Sequence, residues 1–144
     1  MRSSFIPLSV AALTVLAGCA TPNATQLTIS DLEKERFYVS EANFMGSFVD
    51  IQRTLNTNTA ACGTHYTWRL EPNEVHYANV VYQPYAQAPL SESVLVHLTH
   101  YSNGKLKAKS YTYLAETQSA AREVLKSLQQ PSLCPSFPER RTQP

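Results

Sequence analysis

The feature that most constrains this chain is a hairpin near its C-terminal end. Glu92 to Tyr101 and Lys105 to Tyr113 alternate apolar and polar residues on either side of Asn103-Gly104. Strict alternation marks a strand with one buried face, and Asn-Gly marks a tight turn. Loop length then sets register. A two-residue loop pairs Leu98 with Lys109, on the face of Val94 and Val96. A three-residue loop, Ser102-Asn103-Gly104, pairs Leu98 with Ala108 instead. Val94, Val96, Leu98, Leu106 and Ala108 then share one face. His97, Thr99, Tyr101, Lys105, Lys107, Lys109, Tyr111 and Tyr113 share the other. A slip of one residue flips every side chain. The cleaner split therefore predicts the three-residue loop, with Gly104 left-handed.

The rest of the chain offers three more strands and two helices. Phe37-Tyr38-Val39 within Arg36 to Ser40 predicts a first strand. Phe44, Phe48, Ile51 and Leu55 lie on one helical face, with Ser40 or Asn43 as possible caps. Thr57-Asn58-Thr59 weakens the end of that helix, and Gly63 can terminate it. Thr64 to Leu70 and Val75 to Gln83 read as strands around the turn residues Glu71-Pro72-Asn73-Glu74. A two-residue loop there would pair Leu70 with Val75 and Trp68 with Tyr77, all four on the core face. Two prolines make residues 83–89 a loop. Ala120, Val124, Leu125 and Leu128 mark a last helix over Thr117 to Gln130, stopped by Pro131. The expected fold is α+β: a five-stranded antiparallel sheet with two helices on one face, in the order β-α-β-β-β-β-α.

That order resembles the helix-grip arrangement, found in domains of one lipoprotein subunit of the outer-membrane β-barrel assembly machine. It is similar also to small proteobacterial lipoproteins with a Cys after the first helix and a Cys at the end. The resemblance covers roughly residues 36–134 and implies a fold more than a function.

The N-terminal residues point to export. Ile6 to Leu16 is apolar but shorter than the roughly 20 residues a spanning helix needs. It ends in Leu16-Ala17-Gly18-Cys19, which resembles the lipobox of bacterial lipoprotein signal peptides. The resemblance implies removal of residues 1–18, diacylglyceryl and acyl groups (palmitate among them) on Cys19, and a membrane anchor. Ala20, where an Asp would favour retention, implies by the same resemblance the outer membrane, facing the periplasm. Residues 19–34 then read as a lipidated tether, 35–134 as the single domain, and 135–144 as a loose tail.

Of three cysteines, two remain once Cys19 is lipidated. In an oxidising compartment a Cys62–Cys134 disulfide is expected, with free thiols or an intermolecular pair as alternatives. It would close a loop of about 70 residues and stabilise by at most ~4 kcal/mol.

Charge excludes one function class. The chain has 12 Lys+Arg against 11 Asp+Glu, and loss of Arg2 with the leader leaves 11 against 11. A binder that tracks nucleic-acid phosphates needs a basic excess. Catalysis finds little footing. The only aspartates are Asp31 and Asp50, no Gly-x-Ser-x-Gly occurs, and four glycines build no phosphate loop. Glu71, Glu74 and Glu92 are too scattered for a carboxylate pair. His97 and His100 point to opposite faces, and His65 and His76 lie ~13 Å apart along their strands. No metal or cofactor is expected.

What remains is the outer hairpin face: His97, Tyr101, Lys105, Lys107, Lys109, Tyr111 and Tyr113. Tyrosine can stack on sugar and lysine can meet phosphate or carboxylate. The same residues also suit an ordinary solvated sheet face. The expectation is a non-catalytic interaction or envelope-assembly accessory module with an envelope protein partner. The alternative is a binder of envelope glycan, lipopolysaccharide or another small anionic ligand, and an enzyme stands third.

Overall fold

The hairpin organises the sheet. In the computed structural model, which describes residues 26–139, β4 (Val94–His100) and β5 (Lys105–Thr112) pair Leu98 with Ala108. The Tyr101 N–H donates to the Lys105 carbonyl at 2.8 Å, and the Gly104 N–H donates back to Tyr101 at 2.9 Å. Ser102, Asn103 and Gly104 are the loop, and Gly104 is left-handed at φ 78°. The three-residue expectation holds, with both faces as predicted.

Three further strands complete a five-stranded antiparallel sheet in the order β1-β5-β4-β3-β2. They are β1 (Tyr38–Met45), β2 (His65–Leu70) and β3 (Tyr77–Gln83). A short α1 (Ile29–Leu32) precedes β1; α2 (Phe48–Cys62) and α3 (Gln118–Ser127) cover one face. The sheet is open, with β1 and β2 at its edges. This is the expected α+β, helix-grip-like arrangement.

The first strand is longer than expected and the helix starts later. Ser40 and Asn43, named as caps, lie inside β1, and Phe44 pairs with Leu106. Phe44 falls on the helical spacing of Phe48, Ile51 and Leu55 because both its strand and the helix turn apolar groups to one core. The cap is Ser47. Its hydroxyl accepts from the Asp50 N–H at 3.3 Å, and the Asp50 carboxylate accepts from the Ser47 N–H at 2.9 Å. That reciprocal pair satisfies two donors that a helix start leaves free. At the other end Gly63 takes φ 66° and donates its N–H to Thr59.

The β2–β3 pairing departs most from expectation. Leu70 lies opposite Ala78 and Trp68 opposite Val80, so residues 71–76 form the loop. The shift of three residues is odd, and it swaps the faces of β3. Ala78, Val80 and Tyr82 face the helices, whereas Tyr77, Asn79 and Val81 face outward. The deciding partner is β4: Val80 must lie opposite Val96 for both valines to be buried. Asn73 turns the loop with φ 62°. His76 leaves the strand, and its carbonyl accepts from the His100 N–H at 2.8 Å.

The main core lies between the helices and the sheet. Ile51 and Leu55 of α2, and Ala120, Val124, Leu125 and Leu128 near α3, pack on Val80, Val96, Leu98 and Leu106. The other face has its own core. Leu32, Val81, Leu95 and Tyr111 are buried there, with Ile29, Phe37 and Tyr113 packed around them. Residues 28–34, read as tether, therefore belong to the folded unit. Thr28 and Asp31 form a second capping box, and Leu32 is fully buried. The described part of the tail, residues 135–139, is corrected likewise. Pro135 is buried, and the Phe137 ring stacks on Tyr82 at 6.4 Å. Cys62 and Cys134 form the disulfide, closing a sequence separation of 72. The leader and Cys19 lie outside the described residues. No helix among the described residues is long and apolar enough to cross a membrane.

Candidate functional site

The outer hairpin face is assembled as expected but is largely occupied. His97, Lys105, Lys107, Lys109 and Tyr111 share it; Tyr101 sits at the start of the turn, and Tyr113 lies just past β5. The N-terminal segment covers much of it. Tyr111 is only 7% exposed, with the Tyr38 ring edge-on at 6.0 Å. Burial pushes its hydroxyl above the ordinary tyrosine range. Tyr113 packs against Phe37 at 5.5 Å. Lys107 meets Glu41 at 3.0 Å; that hydrogen bond lifts the amine above, and holds the carboxyl below, its usual range. Tyr111 is thus covered and Tyr113 partly so, while Tyr101 stays exposed. A groove of about 300 Å³ remains, lined by Glu33, His97, Thr99, Tyr101 and the Lys107 and Lys109 side chains.

His97 ties this cover down. Its Nδ1 lies 2.9 Å from Glu33 Oε1 and 3.1 Å from Asn79 Oδ1. Both are acceptors, so Nδ1 carries the hydrogen. Asn79 is buried, and its amide donates in turn to Glu71 at the root of the β2–β3 loop. Among the described residues no three His, Cys, Asp or Glu side chains gather closely enough to hold a metal ion.

The exposed apolar groups lie elsewhere, at one pole. Among the described residues the exposed large hydrophobics are Met45, Val49, Leu70, Val75, Tyr77 and Tyr101. Met45 ends β1, Val49 is in the first turn of α2, and Leu70 ends β2. Val75 and Tyr77 lead into β3, and Tyr101 follows β4. All six therefore gather where β1, β2 and β4 finish and β3 and β5 begin. The disulfide is at the opposite end of α2. Scattered apolar residues on a surface need no explanation, but Val49, Leu70 and Val75 meet on the helix side of this end.

A cleft of about 490 Å³ opens at this pole between the first turns of α2 and the β2–β3 loop. Phe48, Val49, Trp68, Leu70 and Val75 line it, with Glu71 and Glu74 among its polar groups. Phe48 meets Trp68 edge-on at 5.6 Å and His100 at 5.7 Å, which fixes the wall. The Trp68 Nε1 hydrogen is buried without an acceptor. Val75, placed in the core by the sequence reading, is 78% exposed instead.

A buried polar hub was also missed. Asn58 donates to the Pro131 and Leu133 carbonyls at 2.9 and 2.8 Å and accepts from the hydroxyls of Thr64, at 3.0 Å, and Tyr82. It joins α2, the residue before β2, β3 and the C-terminal segment beside the disulfide. An Asn one turn before a Cys gives no sequence signal for this.

The chain matches no known protein-family model, and no curated protein matches it as a relative.

Proposed function

We propose that the protein is an outer-membrane lipoprotein, anchored through acyl chains on Cys19 and facing the periplasm. In this reading it is a non-catalytic interaction module that engages an envelope protein through its apolar pole. The lipobox-like Leu16-Ala17-Gly18-Cys19 supports the anchor. The observation that carries the module reading is the apolar cleft lined by Phe48, Val49, Trp68, Leu70 and Val75, of which Val49, Leu70 and Val75 are exposed. Aromatic and aliphatic groups of this kind supply most of the energy at the centre of a protein interface. The glycan or lipopolysaccharide reading has less support, because Glu41 neutralises Lys107 and Tyr111 is buried.

A photo-crosslinking amino acid at Val75, in intact cells, tests the module. A specific protein adduct is expected there and not from Gln130, near the stapled end. No adduct, or the same adducts from both positions, sinks the reading. For the anchor, labelled palmitate should enter the protein and be lost in Cys19→Ser; incorporation into that variant would end the lipoprotein assignment.

A further inference from the structure

The open edge of β2 runs into the apolar cleft, and its backbone is arranged to take another strand. The Glu71 N–H donates to the Tyr77 carbonyl at 3.3 Å, which makes those two a hydrogen-bonded pair. Antiparallel pairs alternate, so Arg69 and Thr67 also turn their N–H and C=O toward β3. Those of Tyr66, Trp68 and Leu70 turn to the open edge. The side chains of the same three residues face the helix layer. Tyr66 donates its hydroxyl to Asn56 Oδ1 at 2.6 Å, and Trp68 meets Phe48. The flank of α2, with Val49 and Gln52, therefore stands over the free edge.

Native edges are blunted by charge, and β2 carries its one full charge, Arg69, at a position whose backbone bonds to β3. β1 carries Glu41, paired to Lys107. The three outward-bonding positions of β2 are aromatic or aliphatic. At the end of that edge, Glu71 and Glu74 supply negative charge.

We infer that the module takes its partner as an extended segment added along the open edge of β2. An apolar side chain of that segment enters the cleft over Trp68, and a lysine or arginine next in line meets Glu74. This rests on the reading of the apolar pole as the binding face. Backbone pairing gives such binding its affinity, and the cleft and the acidic rim give it selectivity. About five residues of partner strand, at ~3.4 Å each, match the edge from Leu70 back to Tyr66.

The test uses the full mature chain in detergent micelles and peptides enriched on it from a random display library. Enriched peptides should alternate apolar and polar residues and carry a basic residue. The bound synthetic peptide should slow amide exchange at Trp68 and Leu70. Leu70→Pro removes one outward N–H at an edge position where proline is tolerated, and should weaken binding about fivefold or more. Glu74→Lys should weaken it too, and serves if the proline variant does not fold. Enrichment of helical spacing, or protection on β1 or the β4–β5 hairpin instead, would overturn the inference. So would concentration-dependent protection of Trp68 and Leu70 without peptide, which would mean that a second copy of this chain pairs there. A crosslink at Val75 with no slowing at Trp68 and Leu70 removes strand addition and leaves the module reading standing. Absence of any crosslink removes the module reading itself.

Discussion

Glu33 and His97 are 64 positions apart in sequence and join at 2.9 Å across the outer face of the sheet. Glu33 directly follows α1, and His97 is central in β4, so this contact closes the N-terminal segment over Leu95 and Tyr111. It makes the last residues of the expected tether part of the domain.

Glu33→Gln should loosen this latch while leaving the main core folded. The pair is partly exposed, so the local cost is about 1 kcal/mol. Amide exchange at Leu32 should quicken severalfold, and proteolysis should open residues 26–37 before the sheet. Equal protection in the variant would show that Leu32 burial alone holds the segment.

Tyr111→Ala should cost about 3 kcal/mol of stability, as loss of a buried aromatic does. Urea unfolding measures it. A surface tyrosine would cost a few tenths, so a neutral result would return Tyr111 to the role of an exposed binding residue.

Asn58→Leu should cost about 2–4 kcal/mol, since it strands two carbonyls and leaves the Tyr82 and Thr64 hydroxyls only each other, at 3.2 Å. Leucine copies the branched shape but is bulkier than asparagine, so some overpacking adds to the lost hydrogen bonds. A stability equal to that of the parent chain in the same urea titration would count against the hub.

The Cys62→Ser/Cys134→Ser variant frees a loop of sequence separation 72. The expected loss is about 2–4 kcal/mol, mostly through a looser unfolded chain. The midpoint of denaturant unfolding should fall by the same amount when the parent chain is reduced. A reduced parent as stable as the oxidised one would contradict this.

The hydrogen bond from Lys34, followed by those from Thr28, lowers the Asp31 carboxyl from its ordinary 3.8 to about 2. The Ser47 hydrogen bonds lower Asp50 in the same direction. Each cap is therefore at full strength above the ordinary carboxylate value and fades as pH falls through the lowered one. A titration of the Asp31 carboxyl by NMR should show its midpoint near 2. A midpoint at 3.8 would mean that the capping box does not persist in solution.

The hairpin was legible because its evidence is local. Alternation from Val94 to Ala108 and a glycine suited to a left-handed turn specify the register without any distant partner. The β2–β3 loop was not legible on the same terms. Glu71 to Glu74 reads as a tight turn, yet Val80 has to meet Val96, and that requirement comes from the next strand. The error mattered for the site: it put Val75 and Tyr77 inside, and they are two of the six exposed groups of the apolar pole. The hairpin's lysines and tyrosines were correctly sorted to one face. What covers that face comes from Ile29, Leu32 and Phe37, which show no periodicity in so short a run.

By itself, the sequence determined the number and order of the strands and long helices, the register of the last hairpin and the pairing option for Cys62 and Cys134. These follow from side-chain period, turn chemistry and the count of thiols, each settled within a few residues or by elimination. Only the tertiary structure decided which side of β3 is buried, that the second sheet face is closed by α1, and that the exposed apolar groups meet at one pole. Those outcomes depend on which strands lie next to one another. Burial is a property of such neighbours, not of the residue that is buried.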